Sequence, residues 1–102
     1  MSQHPLDIIM QNDRELFEEA GRARDKAFAP GAMPVKYKLL IALALDASKG
    51  AVDGITSLAK QALNAGATKE EVFETVRITG YITGVASIYT AARGLSGIEF
   101  KG

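Results

Sequence analysis

The sequence has no cysteine, no tryptophan and only one histidine, His4, among its 102 residues. Without cysteine the chain has no disulfide, no thiolate metal site and no thiol nucleophile. Its 12 basic and 12 acidic side chains cancel, so no excess positive charge favours nucleic acid or an anionic membrane as the main partner. These absences exclude several classes of function before any motif is considered.

Long apolar runs are also absent. The longest strictly apolar run, residues 39–45, is much shorter than the roughly 20 residues that span a bilayer. The first residues, Met1 to Pro5, have neither the basic nor the apolar region of a signal peptide. We therefore expect a soluble, cytoplasmic protein. The 47% of hydrophobic residues indicates that the chain folds around a core.

The first two helices are predicted from a proline and a capping pattern. Pro5 suits the first position of a short helix over residues 5–10. Asn12, with Glu15 three residues later, predicts a capping box for a second helix that ends near Phe28. The apolar side chains of this second helix recur at helical spacing, at Leu16, Ala20, Ala23 and Ala27.

The third and fourth helices meet at Lys49-Gly50, since a cation followed by glycine is typical of a helix end. The third helix has Pro34 in its first turn and is apolar on all sides over residues 39–45. Such a helix is either central in its own domain or covered by another subunit. Because a domain of about 100 residues has little room to enclose a whole helix, we expect a homo-oligomer. The fourth helix is predicted from about Ala51 to Ala65.

Two more helices complete the prediction. Thr68 and Glu71 form a capping box for the fifth helix, which we expect to end near Gly80. The sixth helix is predicted over residues 81–93, with Gly94 as the glycine that ends it.

We therefore predict one all-α domain over residues 1–102, a bundle of about six helices. Residues 5–33 hold the N-terminal helices and residues 34–94 the helical core. In the tail, residues 95–102, apolar and polar side chains alternate, and we expect it to lie extended across a neighbour.

Few residues suggest chemistry. His4 is not a convincing base or ligand, because it lies in an N-terminus that is expected to fray. No cluster of metal-ligating residues and no phosphate-binding loop is recognisable, so we expect neither a metal nor a cofactor. The candidates for a catalytic site are Asp46, Asp53, Arg77, Tyr81 and Tyr89.

Each candidate has a structural explanation as well. Asp46 lies in the last turn of a helix, where an acid opposes the macrodipole; a functional role, a salt bridge to Lys49 and an N-cap for the next helix all explain it. Tyr81 and Tyr89 lie eight apart near one face of the predicted sixth helix, where they either line a pocket or pack in a core. Arg77 is the one charge in an apolar stretch, so it pairs with an acid across an interface or meets an anionic ligand.

The chain from Pro34 to Ala92 resembles the carboxymuconolactone decarboxylase family, which includes the alkylhydroperoxidase-D-like proteins. The resemblance rests on three segments in register: residues 36–44 (KYKLLIALA), 62–72 (ALNAGATKEEV) and 84–86 (GVA). It implies an all-α fold, assembly into trimers or hexamers, and a site near the start of the fourth helix.

The functional residues that the resemblance implies are absent. Peroxidase members have a Cys-x-x-Cys pair and a histidine near the start of the fourth helix and a glutamate on the helix before. The corresponding positions hold Ala51, Gly54, Leu58 and Leu39. The Asn-His pair of the decarboxylating members falls near Tyr89 and Thr90 and is absent too. Proton transfer to a peroxide or from a lactone needs a titratable group, which these positions do not supply.

Two hypotheses follow. The first is a homo-oligomeric protein of this family, a trimer or hexamer, that binds a small molecule or has a structural role and lacks the family's redox and decarboxylase residues. The second is an enzyme with a relocated acid/base site, formed by the five candidates above, that acts on a small carbon acid or lactone. Thiol peroxidase activity is not expected under either hypothesis.

Overall fold

The structure, a computed structural model, describes residues 4–100. Helices account for all its regular secondary structure, and that part of the chain contains no strand. The elements are α1 (Asp7–Asn12), α2 (Arg14–Phe28), α3 (Val35–Ser48), α4 (Val52–Asn64), α5 (Lys69–Thr83) and α6 (Val85–Leu95). The predicted all-α architecture of about six helices is confirmed. No helix among these residues is long and apolar enough to cross a membrane.

The core lies among the last four helices. Leu43 of α3, Ile55 of α4 and Val72 of α5 are the largest fully buried side chains. An apolar stripe of α4 faces this core, with Ile55, Ala59 and Ala62 fully buried. At Gly94 the backbone of α6 approaches α4 so closely that an added Cβ would be 2.6 Å from the Ile55 Cβ atom. The Thr56 hydroxyl donates a hydrogen bond of 2.6 Å to the Gly94 carbonyl and ties the two helices together.

The apolar helix α3 has one buried and one exposed face. Leu39, Leu40, Leu43 and Ala47 are buried in the core. Ile41 and Leu45, on the other side, are 49% and 57% exposed. The chain therefore covers only half of the helix that the sequence predicted to be enclosed on all sides.

Two helix ends agree with their sequence signals. Lys49 is the C-cap of α3, and Gly50 follows with a φ of 77°, a left-handed conformation that favours glycine. At the start of α5 the Thr68 hydroxyl accepts from the Glu71 N–H at 3.0 Å, and the Glu71 carboxylate accepts from the Thr68 N–H at 2.9 Å. This is the predicted capping box.

Other boundaries were predicted wrongly. The N-cap of α2 is Asp13 and not Asn12, and its carboxylate accepts from the Leu16 N–H at 3.0 Å. Asn12 instead ends α1, which begins two residues after Pro5. Pro34 is the N-cap of α3 and lies one residue before its first turn.

The break between α5 and α6 is at Gly84 and not at Gly80. Gly84 has a φ of 102°, which only glycine adopts readily, whereas Gly80 is helical. Gly80 has a packing role, because an added Cβ there would be 2.5 Å from Ile88 of α6. Gly94 does not end α6 either; it is the buried contact with α4, and Ser96 is the C-cap.

The tail lies against its own chain. Ile98 and Phe100 pack on the core, and the Phe100 ring is 5.2 Å from that of Phe73 in α5. Residues 98 and 100 therefore contact their own chain, whereas a contact of the tail with a neighbour stays a prediction, and residues 101 and 102 lie outside the described range.

Candidate functional site

Leu39 of α3 and Leu58 of α4 line one cavity of about 380 Å³. These are the positions where the family resemblance implies a glutamate and a histidine. Leu39 is only 5% exposed, and Leu58 and Phe28 are partly buried against the core. The complete lining, contributed by α2, α3 and α4, is Arg24, Asp25, Phe28, Val35, Leu39, Leu58 and Gln61. We call this space the Leu39–Leu58 cavity.

The polar groups of this cavity lie at its rim. Arg24 Nη2 is 3.4 Å from Asp25 Oδ1, and both side chains are more than half exposed, so the pair is weak. The Gln61 side-chain amide donates to the Ser57 hydroxyl at 3.0 Å. The cavity therefore has an apolar floor suited to an apolar molecule, and it holds no imidazole or thiol for proton transfer or redox chemistry.

The start of α4 holds the two positions that correspond to the cysteine pair. Ala51 is the N-cap of α4, and its N–H donates to the Asp46 carbonyl at 2.9 Å. The Asp46 side chain fills the space next to Gly54, where an added Cβ would be 3.0 Å from the Asp46 Cγ atom. Gly54 is thus constrained by Asp46, and a cysteine there requires the carboxylate to move.

The structure accounts for the unfavourable position of Asp46 in the last turn of α3. Within residues 4–100 it forms neither of the two predicted interactions, the salt bridge to Lys49 and the side-chain N-cap of α4. Its carboxylate lies instead beside the first turn of α4, where the positive end of the helix dipole favours a negative charge. The cost at one helix end is therefore offset at the other.

The other four candidate residues are exposed in the single chain. Tyr81 is 88% and Tyr89 61% exposed, and Asp53 and Arg77 also face solvent. The two tyrosines are not on one helix as predicted, because the break at Gly84 puts Tyr81 in α5 and Tyr89 in α6. None of the five candidates lines the Leu39–Leu58 cavity, and the chain does not bring them into one enclosed site.

One ion pair was missed by the sequence analysis. Lys36 Nζ lies 3.2 Å from Glu71 Oε2 and joins the start of α3 to the start of α5. A hydrogen bond from the Thr68 backbone N–H and a second from Lys36 lower the pKa of Glu71. The hydrogen bond to Glu71 raises the pKa of Lys36 above its ordinary value. No local pattern signals this contact, because the two residues are 35 apart in sequence.

A groove beside this ion pair separates α3 from α5. It encloses about 380 Å³ and is mainly apolar. Ile41 of α3 and Ile78 of α5 line opposite sides, and Glu71, Glu74 and Thr75 provide the polar part of the wall. We call this the α3–α5 groove.

His4 serves the local backbone. The imidazole Nδ1 atom of His4 accepts from the Leu6 backbone N–H at 3.0 Å, and the His4 backbone N–H donates to the Asp7 carboxylate at 3.1 Å. No group of three or more metal-ligating side chains occurs between residues 4 and 100.

Comparisons with known proteins point to a single family. The family model described as carboxymuconolactone decarboxylase matches residues 14–96. A crystal structure of an apo carboxymuconolactone decarboxylase family protein from Legionella pneumophila has a TM-score of 0.83 and 30% identity, over 89% of this chain and 81% of that one. A proposed carboxymuconolactone decarboxylase from Burkholderia xenovorans has a TM-score of 0.85 and 23% identity, over 93% and 75% of the two chains, and shows the fold alone. No functionally curated protein matches the chain.

Proposed function

Because this chain belongs to the carboxymuconolactone decarboxylase family, we propose that it is a homo-oligomer that binds a small, mainly apolar molecule in the Leu39–Leu58 cavity and lacks the family's thiol and histidine chemistry. The observation that carries this proposal is the pairing of Leu39 with Leu58 across one cavity. A shared fold does not require a shared reaction, and a site can change from catalysis to binding when its reactive groups are replaced.

The chemistry of the replaced positions supports this proposal. Reduction of a peroxide by a thiol needs a thiolate, and the chain contains no cysteine. Proton transfer to or from a carbon acid needs a positioned acid or base, and Leu39 and Leu58 offer none. Leucine at both positions does favour an apolar ligand, since apolar contact area supplies most of the affinity in such sites.

The size and rim of the cavity narrow the ligand class. A volume of about 380 Å³ lies at the small end of the range of ligand sites. Arg24 at the rim suits a carboxylate or a lactone carbonyl. We therefore propose a small aromatic or aliphatic acid, or a lactone, whose apolar part lies between the two leucines.

A thermal-shift screen with benzoate, phenylacetate and γ-butyrolactone tests this function. A ligand at about 100 times its dissociation constant stabilises the native state by about 2.7 kcal/mol, which raises the melting temperature by more than about 10 °C for a chain of this size. Leu58→Phe, which fills the cavity, is expected to abolish the shift. The matched control is Leu63→Phe on the same helix, since Leu63 lines a different cavity.

The outcomes of the screen separate the hypotheses. A shift that Leu58→Phe removes and Leu63→Phe preserves supports binding in the Leu39–Leu58 cavity. A shift that neither variant alters places the ligand elsewhere and contradicts this site. No shift with any ligand of these classes contradicts binding and favours a purely structural protein.

One observation favours the alternative, an enzyme with a relocated acid/base site. The Asp46 carboxylate lies at the start of α4, where the resemblance places the family's site. Turnover of a lactone by the purified protein, abolished by Asp46→Asn and unaffected by Tyr89→Phe, would establish this alternative and overturn the binding-only proposal. We expect no turnover.

A further inference from the structure

An exposed apolar surface flanks the α3–α5 groove. It consists of Ile41 and Leu45 on α3 and of Ile78, Tyr81 and Ile82 on α5, whose exposed fractions range from 49% at Ile41 to 88% at Tyr81. Ile41 and Ile78 line the groove from opposite sides. Leu45 and Ile82 follow one helical turn later, and Tyr81 shares their face of α5. We call these five residues the α3–α5 face.

The two helices run side by side in the same direction. Lys36 and Glu71, near the start of each helix, are paired at 3.2 Å. One to two turns later Ile41 and Ile78 meet at the groove. Parallel helices with apolar side chains at matching intervals form a continuous stripe, so the five side chains make up one surface and not scattered exposed residues.

This surface lies in the upper part of the range that a monomeric protein exposes. Taking about 150 Å² for each fully exposed side chain, the lower end of the range for large side chains because four of the five are isoleucine or leucine, the five residues leave on the order of 500 Å² of side-chain surface in contact with solvent. The largest apolar patch on a monomer is about 300–600 Å², and a standard interface buries about 800 Å² on each partner. The α3–α5 face therefore supplies most of an interface, with a polar rim for the remainder.

The charges of the rim favour a second copy as the occupant. Glu74 and Arg77 lie on α5 next to Ile78, carry opposite charges, and form no ion pair with another side chain between residues 4 and 100. The chain as a whole has no net charge. Two copies that meet at this face thus bring together apolar surface without like-charge repulsion. An anionic membrane is a poorer match, because the rim has no excess of basic side chains.

We infer that the α3–α5 face is the surface through which copies of this chain associate. The inference rests on the oligomeric part of the proposed function and adds the residues that form the contact. It also accounts for the large apolar side chains on the exposed side of α3. Tyr37, Ile41 and Leu45 repeat every four residues on that exposed half.

Light scattering coupled to size-exclusion chromatography tests this inference on the full chain. We expect an oligomer for the wild type at micromolar concentration. Ile78→Glu buries an unpaired carboxylate at the contact, and we expect it to weaken association by at least about 100-fold. Ile41→Glu, on the facing helix, is expected to do the same. Circular dichroism checks that both variants stay helical, which exposed positions should tolerate.

Leu16→Glu is the matched control, because Leu16 is also an exposed apolar residue, at 48%, but lies on α2. An oligomeric wild type with monomeric Ile78→Glu and Ile41→Glu and an oligomeric Leu16→Glu supports the inference. An oligomeric wild type whose mass Ile78→Glu and Ile41→Glu leave unchanged overturns it and leaves the proposed oligomer intact. A monomeric wild type overturns both, and the ligand screen then tests the binding function separately.

Discussion

The two ends of this chain use the same helical pattern in different ways. In the core, α3, α4 and α5 contribute the largest fully buried side chains, Leu43, Ile55 and Val72. The N-terminal hairpin, α1 and α2, has the same kind of apolar spacing but no buried residue at all. Leu16, the first and largest residue in the stripe of α2, is 48% exposed.

This difference shows that helical periodicity predicts a helix but not its burial. The stripe of α2 consists mostly of alanine, which offers little area to bury. The stripe of α4 is flanked by larger residues and packs against α3 and α6. We therefore expect the core to unfold cooperatively and the hairpin to contribute little to the global free energy of unfolding.

The largest expected effect comes from truncating the core. Leu43→Ala removes a fully buried side chain and should reduce the free energy of unfolding by about 2–5 kcal/mol. Leu16→Ala, in the hairpin, should reduce it by less than about 1 kcal/mol. Urea denaturation followed by circular dichroism measures both. Equal losses would mean that the hairpin is as much a part of the cooperative unit as the core.

A smaller loss is expected at the close contact between α4 and α6. Gly94→Ala places a methyl group 2.6 Å from the Ile55 Cβ atom and 2.9 Å from the Val52 carbonyl oxygen. Such overpacking should cost about 1–3 kcal/mol. Gly97→Ala is the matched control, since nothing lies within 4 Å of the added atom. If Gly94→Ala has the same melting temperature as the wild type, the close contact between α4 and α6 is refuted.

The N-caps of α5 and α2 allow the same comparison of core and hairpin, with a smaller expected change in the free energy of unfolding. Thr68 caps α5 in the core and Asp13 caps α2 in the hairpin. Removal of a cap costs about 1 kcal/mol when the helix belongs to the cooperative unit. We expect that loss in the global unfolding of Thr68→Ala. Asp13→Ala should instead increase amide hydrogen exchange in α2 alone. A loss of about 1 kcal/mol in the global free energy of unfolding of Asp13→Ala would contradict the division between core and hairpin.

The smallest effect concerns pH. Because the pKa of Glu71 is lowered in the folded chain, its stabilisation is present above the ordinary pKa of 4.5 and is lost as pH falls through the folded value. Because the pKa of Lys36 is raised, its share is lost only as pH rises above 10.5. Glu71→Gln should therefore lose stability at neutral pH and approach the wild type in acid.

Glu70→Gln is the control for this pH series, since Glu70 forms no ion pair between residues 4 and 100. It should keep the acid dependence of the wild type. If Glu71→Gln and the wild type differ by the same amount from pH 3 to pH 7, the ion pair does not stabilise the fold.

Local signals in the sequence predicted some features and not others. Thr68 with Glu71, and Lys49 with Gly50, specify helix ends through their own backbone bonds, so the sequence suffices for them. Gly80, Gly84 and Gly94 look alike in sequence, yet only Gly84 breaks a helix. At Gly80 and Gly94 a side chain of a neighbouring helix occupies the space that a Cβ atom would need. That contact is a property of the tertiary fold.

The candidate site shows the same limit. The resemblance identified Leu39 and Leu58 as the replaced positions, but only the fold shows that they line one cavity together with Phe28 of α2. The contact of Asp46 with Gly54 was not predictable either, because Gly50 breaks the helical register between the two residues. Exposed tyrosines carry no sequence signal that separates them from core tyrosines.

The central claim is that a small apolar ligand binds between Leu39 and Leu58. Titration with benzoate, followed by the methyl NMR signals of assigned leucine and isoleucine residues, tests it most directly. The account predicts that the Leu39 and Leu58 signals shift together with one dissociation constant, while those of Ile78 and Ile82 in the α3–α5 face stay unchanged. Shifts confined to Ile78 and Ile82, or no shift at Leu39 and Leu58, would contradict it.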